Sequence, residues 1–198
     1  VLLEDVKGIQ ANVVAIDNIK AIKKAVKYLI DGGHTKIVHF AGPPASSHTE
    51  ERIEGFRYAF SESSLVFNND MIVSIGSRHE ESYSNTMAYF KSRPRSEYPT
   101  AIVCFNDQQA LSVITALKEL DIKVPDDISI IGNDDVAYAK LYPVPLTTIS
   151  APQYEIGRRA AEILIKNIES HTLLPPERVI LQTELIIRES TRAINKKD

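Results

Sequence analysis

The residues able to do chemistry fall in clusters, each just past a short apolar run. Glu4 and Asp5 follow residues 1–3, and Asp17 and Asn18 follow residues 13–16. Ser46, Ser47 and His48 lie beyond residues 36–40, with Arg52 a turn further on. Ser77, Arg78 and His79 follow residues 71–75. Asn106 and Asp107 follow residues 100–105, and Asn133, Asp134 and Asp135 follow residues 128–131 and Gly132. Carboxylates accept hydrogen bonds, amides donate and accept, and a guanidinium donates in a planar fork. Such a set suits many directed hydrogen bonds to a polyhydroxylated or charged small molecule. Each residue also has a structural role open to it. Asn106 or Asp107 could cap a helix, Asn133 and Asp135 could shape a turn, and Arg52 could pair with Glu51 or Glu54 on a solvated face. His34, beside Gly32 and Gly33, reads as a structural histidine, and His171 has no evident role.

Catalytic templates are missing. There is no Gly-x-Ser-x-Gly elbow, no phosphate loop ending in Gly-Lys-Ser/Thr, and no His-x-x-x-His pair. The single cysteine, Cys104, excludes a thiolate metal cage. Asp134 and Asp135 are adjacent, so in an extended loop they point apart rather than working as a paired acid and base.

The elements that must position these clusters alternate. Ala21, Ile22, Ala25, Val26, Leu29 and Ile30 recur at helical spacing and stop at Gly32 and Gly33. Strands are expected at residues 13–16, 36–40, 71–75, 100–105 and 128–131, with helices at 49–60, 80–90 and 107–120 between them. The strands are near-continuous Val/Ile runs, the pattern of strands buried on both faces. An α/β fold follows, a parallel sheet sandwiched by helices. Ligands of such sheets bind beyond the carboxyl ends of the strands, where the polar clusters lie. Past Pro143 and Pro145 come a strand at 147–150, a helix at 153–169 and strands at 179–181 and 185–187.

The chain has 198 residues, 43% hydrophobic and 25% charged, the balance of an ordinary globular protein. No apolar run approaches the roughly 20 residues of a membrane-spanning helix. A formal net charge of −3 makes this segment a poor match for DNA phosphate on its own. Cys104, in an apolar run, is expected to be an inert core thiol in a reducing compartment. The first residue is Val, so the chain is expected to be a mature product or a fragment.

Several ordered motifs resemble the effector-binding core of LacI/GalR-family transcription regulators. They include Ile16-Asp17-Asn18, Asp31-Gly32-Gly33-His34, Ala41-Gly42-Pro43 with Arg52-Ile53-Glu54-Gly55-Phe56, and Asn106-Asp107. Val124-Pro125-Asp126-Asp127-Ile128, Pro145-Leu146-Thr147-Thr148-Ile149, Gly157-Arg158-Arg159-Ala160-Ala161 and Arg188-Glu189-Ser190 complete the set. The resemblance implies a periplasmic-binding-protein-like fold with one complete lobe and part of a second. Residues 1–17 would end the first lobe, 18–146 form the second, 147–176 cross to the first, and 177–198 return. It implies a cytoplasmic repressor's sensing domain for a small sugar-like effector in the interlobe cleft. Operator DNA would be reached only through an N-terminal head absent here. A sugar-binding protein of an uptake system is the alternative. No enzyme activity, cofactor or metal is implied.

By the resemblance, Arg52, Asn106 and Asp134 are effector contacts, Glu4 an acid from the first lobe, and Ser46 and His48 loop contacts. Two positions depart from the family: Ala151 replaces a common glutamine, and Arg78 stands where an aromatic often stacks on the ligand. Asn133 replaces an aromatic before the acid. Arg78, His48 and Arg52 would suit an anion, whereas Glu4 and Asp134 favour a neutral polyol. A homodimer is implied, pairing the helix at 107–120 and residues 138–142 through Val113, Leu117, Leu141 and Tyr142.

Overall fold

A computed structural model describes residues 1–4, 8–44, 46–76, 78–170 and 174–194. Asp5, Ser77 and His171, named from the sequence, lie outside the described residues. The first elements are β1 (Val13–Ile16), α1 (Asn18–Asp31), β2 (Ile37–Ala41), α2 (Ser47–Ser61) and β3 (Ile72–Ser74). They are followed by α3 (His79–Lys91), β4 (Ala101–Cys104), α4 (Asp107–Glu119) and β5 (Ser129–Asn133). The chain closes with β6 (Thr147–Ser150), α5 (Gln153–Glu169), β7 (Arg178–Leu181) and β8 (Glu184–Ile186).

The main sheet has the order β3-β2-β4-β5-β6-β8, and every neighbouring pair is parallel except β6 with β8. Side chains alternate across a strand, and β4 shows what that does here. Ile102 and Cys104 join Phe90, Val113 and Leu117 of α3 and α4 in one core. Ala101 and Val103 join Ala25, Leu29, Phe56 and Phe60 of α1 and α2 in the other. Both faces are therefore covered, which is why these strands read as unbroken apolar runs. The Asp17 side chain caps α1, accepting from the Lys20 amide at 2.9 Å. Cys104 is fully buried, and desolvation raises its thiol pKa further, as expected of an inert core thiol.

Two assignments differ from the sequence reading. β6 does not cross to the first lobe; it is an inner strand of the main sheet, between β5 and β8. Thr147 and Thr148 are fully buried there because their hydroxyls find buried partners: Thr191 Oγ1 at 2.9 Å for Thr147, and the Asp107 carboxylate, accepting from Thr148 at 2.5 Å. The strand at 147–150 is as expected from the sequence; its inner place in the main sheet is what its flanking prolines and polar threonines did not show. β7 does not return to the main sheet; it pairs in parallel with β1 in a separate two-stranded sheet, and only β8 comes back. Val113, Leu117 and Tyr142, expected at a dimer surface, are core residues. The helical stripe on α4 carrying Val113 and Leu117 faces α3 and the sheet, and the Tyr142 hydroxyl donates to the Asp107 carbonyl at 2.9 Å.

At Gly55 of α2 the backbone of α1 comes close. A Cβ there would lie 2.4 Å from the backbone oxygen of Ile19 in α1, closer than contact allows. Backbone cannot swing aside as a side chain can, so α1 and α2 would have to separate. Gly55→Ala is expected to lower the unfolding free energy by roughly 1–3 kcal/mol. Urea denaturation measures this, and an unchanged midpoint would show that the helices part without cost.

Candidate functional site

The site is built at the carboxyl ends of β2, β4 and β5 and the amino ends of α1, α2 and α4. Its centre is Arg52, which α2 points inward, leaving the residue 4% exposed. A buried cation is costly unless its donors are met, and several chain segments meet them. Nε donates to Asn18 Oδ1 at 3.2 Å. Nη1 donates to the Phe105 carbonyl, and the guanidinium carbon stacks 4.4 Å from the Phe105 ring centroid. With the Asn133 amide oriented oxygen-inward, its Oδ1 accepts from Nη2 at 2.6 Å, Nη1 at 3.0 Å and Nε at 3.2 Å. Nη2 lies 3.9 Å from Asp134 Oδ1. Burial lowers the Arg52 pKa to about 10, while the carboxylates of Asp134, Glu51 and Asp107 hold it up, so the group stays charged near neutrality. Asn18 is fixed in turn by donating to Glu51 Oε2 at 2.8 Å. The surface pairing of Arg52 with Glu51 or Glu54 is thus replaced by a buried position.

Asp134 follows β5 with φ of 120°, in a region L-residues avoid, and Asp135 follows with φ of 52°. The Asp134 amide donates to the Ile149 carbonyl at 2.9 Å. Its side chain is 37% exposed, so this carboxylate can meet a solute as well as Arg52. Desolvation raises its pKa to about 6; Arg52 pulls it down and Asp107 pushes it up. Asp135 is bound by Arg188, whose Nη2 donates to Oδ1 at 2.6 Å.

The remaining expected residues are placed unevenly. Asn106 is the α4 cap: its Oδ1 accepts from the Gln109 amide at 2.8 Å. Asp107 is not a cap. Its fully buried carboxylate accepts from the Val136 amide at 2.9 Å and the Thr148 hydroxyl at 2.5 Å, and burial raises its pKa. Ser46 begins α2 without a side-chain capping bond. Glu4 reaches α2 from the start of the chain, where its Oε2 accepts from Ser47 Oγ at 3.1 Å and lies 3.4 Å from His48 Nε2. Arg78 opens α3: its carbonyl accepts from the Ser82 amide at 2.9 Å, while its exposed side chain makes no hydrogen bond or ion pair to another described residue. The fold therefore joins Glu4 to His48 and Arg52 to Asp134, and leaves Arg78 apart from both pairs. Sequence reasoning missed Asn18, Phe105 and Asn133 as the hydrogen-bond acceptors around Arg52. Their position just past strands was the available signal, but only Asn133 had been weighed, and as a turn residue. His34 is structural as expected, bonded to Thr100 Oγ1 at 3.0 Å and the Arg192 carbonyl at 2.9 Å. No group of three or more His, Cys, Asp or Glu side chains among the described residues is arranged to hold a metal ion.

Residues 26–191 match the family of the periplasmic binding protein-like domain. The HTH-type transcriptional repressor PurR of Vibrio vulnificus strain CMCP6 is 37% identical over 172 residues, which cover 86% of this chain and 50% of the relative. The structure of a transcriptional regulator CelR–cellobiose complex aligns with TM-score 0.85 and 27% identity, over 93% of this chain and 56% of that one. A sugar-binding transcriptional regulator of the LacI family from Escherichia coli, complexed with phosphate, aligns with TM-score 0.80 and 26% identity, over 92% of this chain and 64% of that one. The chain belongs to the periplasmic binding protein-like domain family, as an effector-binding core of the LacI/GalR type. It spans about half the length of the curated relatives it matches.

A carboxyl group with a raised pKa holds its proton more tightly in the folded state, so its ionisation costs stability. For Asp134 that cost starts as pH rises past the ordinary value of 3.8 and is complete above about 6. Asp134→Asn is accordingly expected to raise Tm at pH 7, with the gain disappearing below pH 3.8. Thermal melts across that range check the sign, and a Tm loss at pH 7 would contradict it.

Proposed function

We propose that the chain is the ligand-sensing part of a bacterial transcription repressor whose cleft binds a small sugar or sugar derivative. One observation carries this reading: an accessible carboxylate, Asp134, held in a strained turn beside a buried cation. Every nitrogen of Arg52 already faces a protein oxygen, so the guanidinium fixes the floor of the site. Asp134 is then the acceptor that meets effector hydroxyl groups. Asn106, Ser46 and His48 line the same edge, and Glu4 reaches it from the β1 side. The repressor titles of the curated relatives and the cellobiose in one similar structure support the class. Relatives named as regulators support a non-enzyme reading.

The effector is read as neutral. His48 already faces Glu4 and Arg52 already faces oxygens, so of the three groups that could surround an anion only the exposed Arg78 is unengaged. Operator DNA would be bound by a separate head, in the cytoplasm where such a repressor acts. Closure of the cleft around the effector would change the spacing of paired heads. Loss of a hydrogen bond to a charged group costs roughly 1.5–3 kcal/mol. Asp134→Ala in the full-length protein is therefore expected to weaken cellobiose binding by about ten-fold or more while operator binding persists. Calorimetry and an operator-shift assay measure the two. Undiminished sugar binding would overturn the assignment.

Pairing as a homodimer belongs to the same reading, with a corrected surface. Leu141 is 75% exposed and Tyr138 48% exposed. Beside α4 lies a groove of about 510 Å³ in which Leu111, Ile114, Ile122 and Val144 are interspersed with Lys118, Asp121, Lys123 and Asp126. Exposed apolar side chains beside such a groove are what a two-fold contact would cover. Leu141→Glu is expected to convert a dimer to a monomer in sedimentation at micromolar concentration. A wild-type monomer under those conditions would count against the pairing.

A further inference from the structure

Asp107 has a buried carboxylate that the effector site does not touch, and its contacts converge on the segment that carries Asp134. One carboxylate oxygen accepts from the Val136 amide at 2.9 Å, two residues past Asp134. The other accepts from the Thr148 hydroxyl of β6 at 2.5 Å. The backbone carbonyl of Asp107 accepts from the Tyr142 hydroxyl at 2.9 Å. The carboxylate also fits against Gly132, where a Cβ would lie 2.2 Å from Oδ1. Gly132, at one end of the turn, and Val136, at the other, are thus both referred to a single side chain from α4. Between them sit the left-handed residues Asp134 and Asp135, whose φ angles cost energy unless something fixes them. Arg188 secures the same turn, donating to Asp135 at 2.6 Å and to the Leu146 carbonyl at 2.8 Å.

We propose that Asp107 is a positioning residue for the effector site, a brace that holds the Gly132-to-Val136 turn so that Asp134 faces both Arg52 and the cleft. The proposal deepens the sensing function above and rests on it for its biological meaning. It also has an electrostatic side. Asp134 is faced by Arg52 from α2 and by Asp107 from α4, the first favouring its ionisation and the second opposing it. Asp107 is itself faced by Asp135 and Arg188. A like charge facing a carboxyl in a partly dry site opposes its ionisation, so the brace also tunes how readily the effector-facing carboxylate ionises.

The test needs no knowledge of the effector. The Asp134 carboxyl is followed against pH by carbon-13 NMR in the full-length protein, its signal identified by its absence in Asp134→Asn. In Asp107→Asn the amide oxygen still receives the Val136 amide, while the like charge is gone. The Asp134 midpoint is expected to fall by roughly half a unit to one unit. In Thr148→Val the charge stays but one anchor is lost. Hydrogen exchange of the Val136 amide is then expected to quicken about three- to ten-fold. An unchanged midpoint in folded Asp107→Asn overturns the proposal, as does unchanged Val136 exchange in Thr148→Val. Should Asp107→Asn fail to fold, the second variant decides alone. Cellobiose calorimetry is run alongside. If no form binds it while both shifts appear, the cellobiose reading falls and the brace stands.

Discussion

Burying the Arg52 guanidinium is the constraint on which the rest of the site depends. Taking a cation out of water costs several kcal/mol unless its donors are paired. Here the pairing comes from Asn18 at the start of α1, Phe105 after β4, and Asn133 and Asp134 at the end of β5. These segments meet only when the sheet and the α1/α2 layer are assembled. The cation therefore ties the carboxyl ends of the strands into one rigid edge. The apolar cores beneath supply the driving force, and the arginine specifies how the edge is arranged.

The same pairing explains the character of Asp134. Its neighbour is a cation already shared among neutral oxygens, so the attraction does not fully offset its own desolvation, and its pKa rises to about 6. A hydroxyl-bearing solute would supply the hydrogen bonds the carboxylate lacks. The strained turn serves this arrangement: positive φ at Asp134 and Asp135 carries the chain sharply away from β5, so one acid lies beside the arginine and the other reaches Arg188. Such strain persists only where surrounding contacts over-determine it.

The chain leaves the main sheet through α5, pairs β7 with β1, and returns as β8. That path ties the two sheets together by covalent connections as well as by contact. Glu4 adds a polar contact between the β1 side and α2.

How much of this was legible depends on how local the physics is. The alternation of Val/Ile runs with amphipathic segments records burial at a fixed period, so β1 to β5, α1 to α5 and the two-faced sheet could be read directly. So could the polar edge, because residues just past parallel strands collect at one end of a sheet. The partners of each polar group could not be read. Asn106 and Asp107 are adjacent, yet one caps a helix and the other braces a distant turn, a difference set by which way α4 rolls against β5 and β6. The family resemblance put Val113 and Leu117 at a dimer surface, but α4 turns that stripe against α3 and the sheet, and only packing shows what covers it. β6 and β7 exchanged sheets because short strands carry no address; register and neighbouring acceptors supply it. The sequence by itself determined the elements and the edge where the chemistry would gather. Tertiary structure decided which oxygens hold Arg52 and therefore which carboxylate remains open, since the groups that satisfy a buried charge come from parts of the chain that only folding brings together.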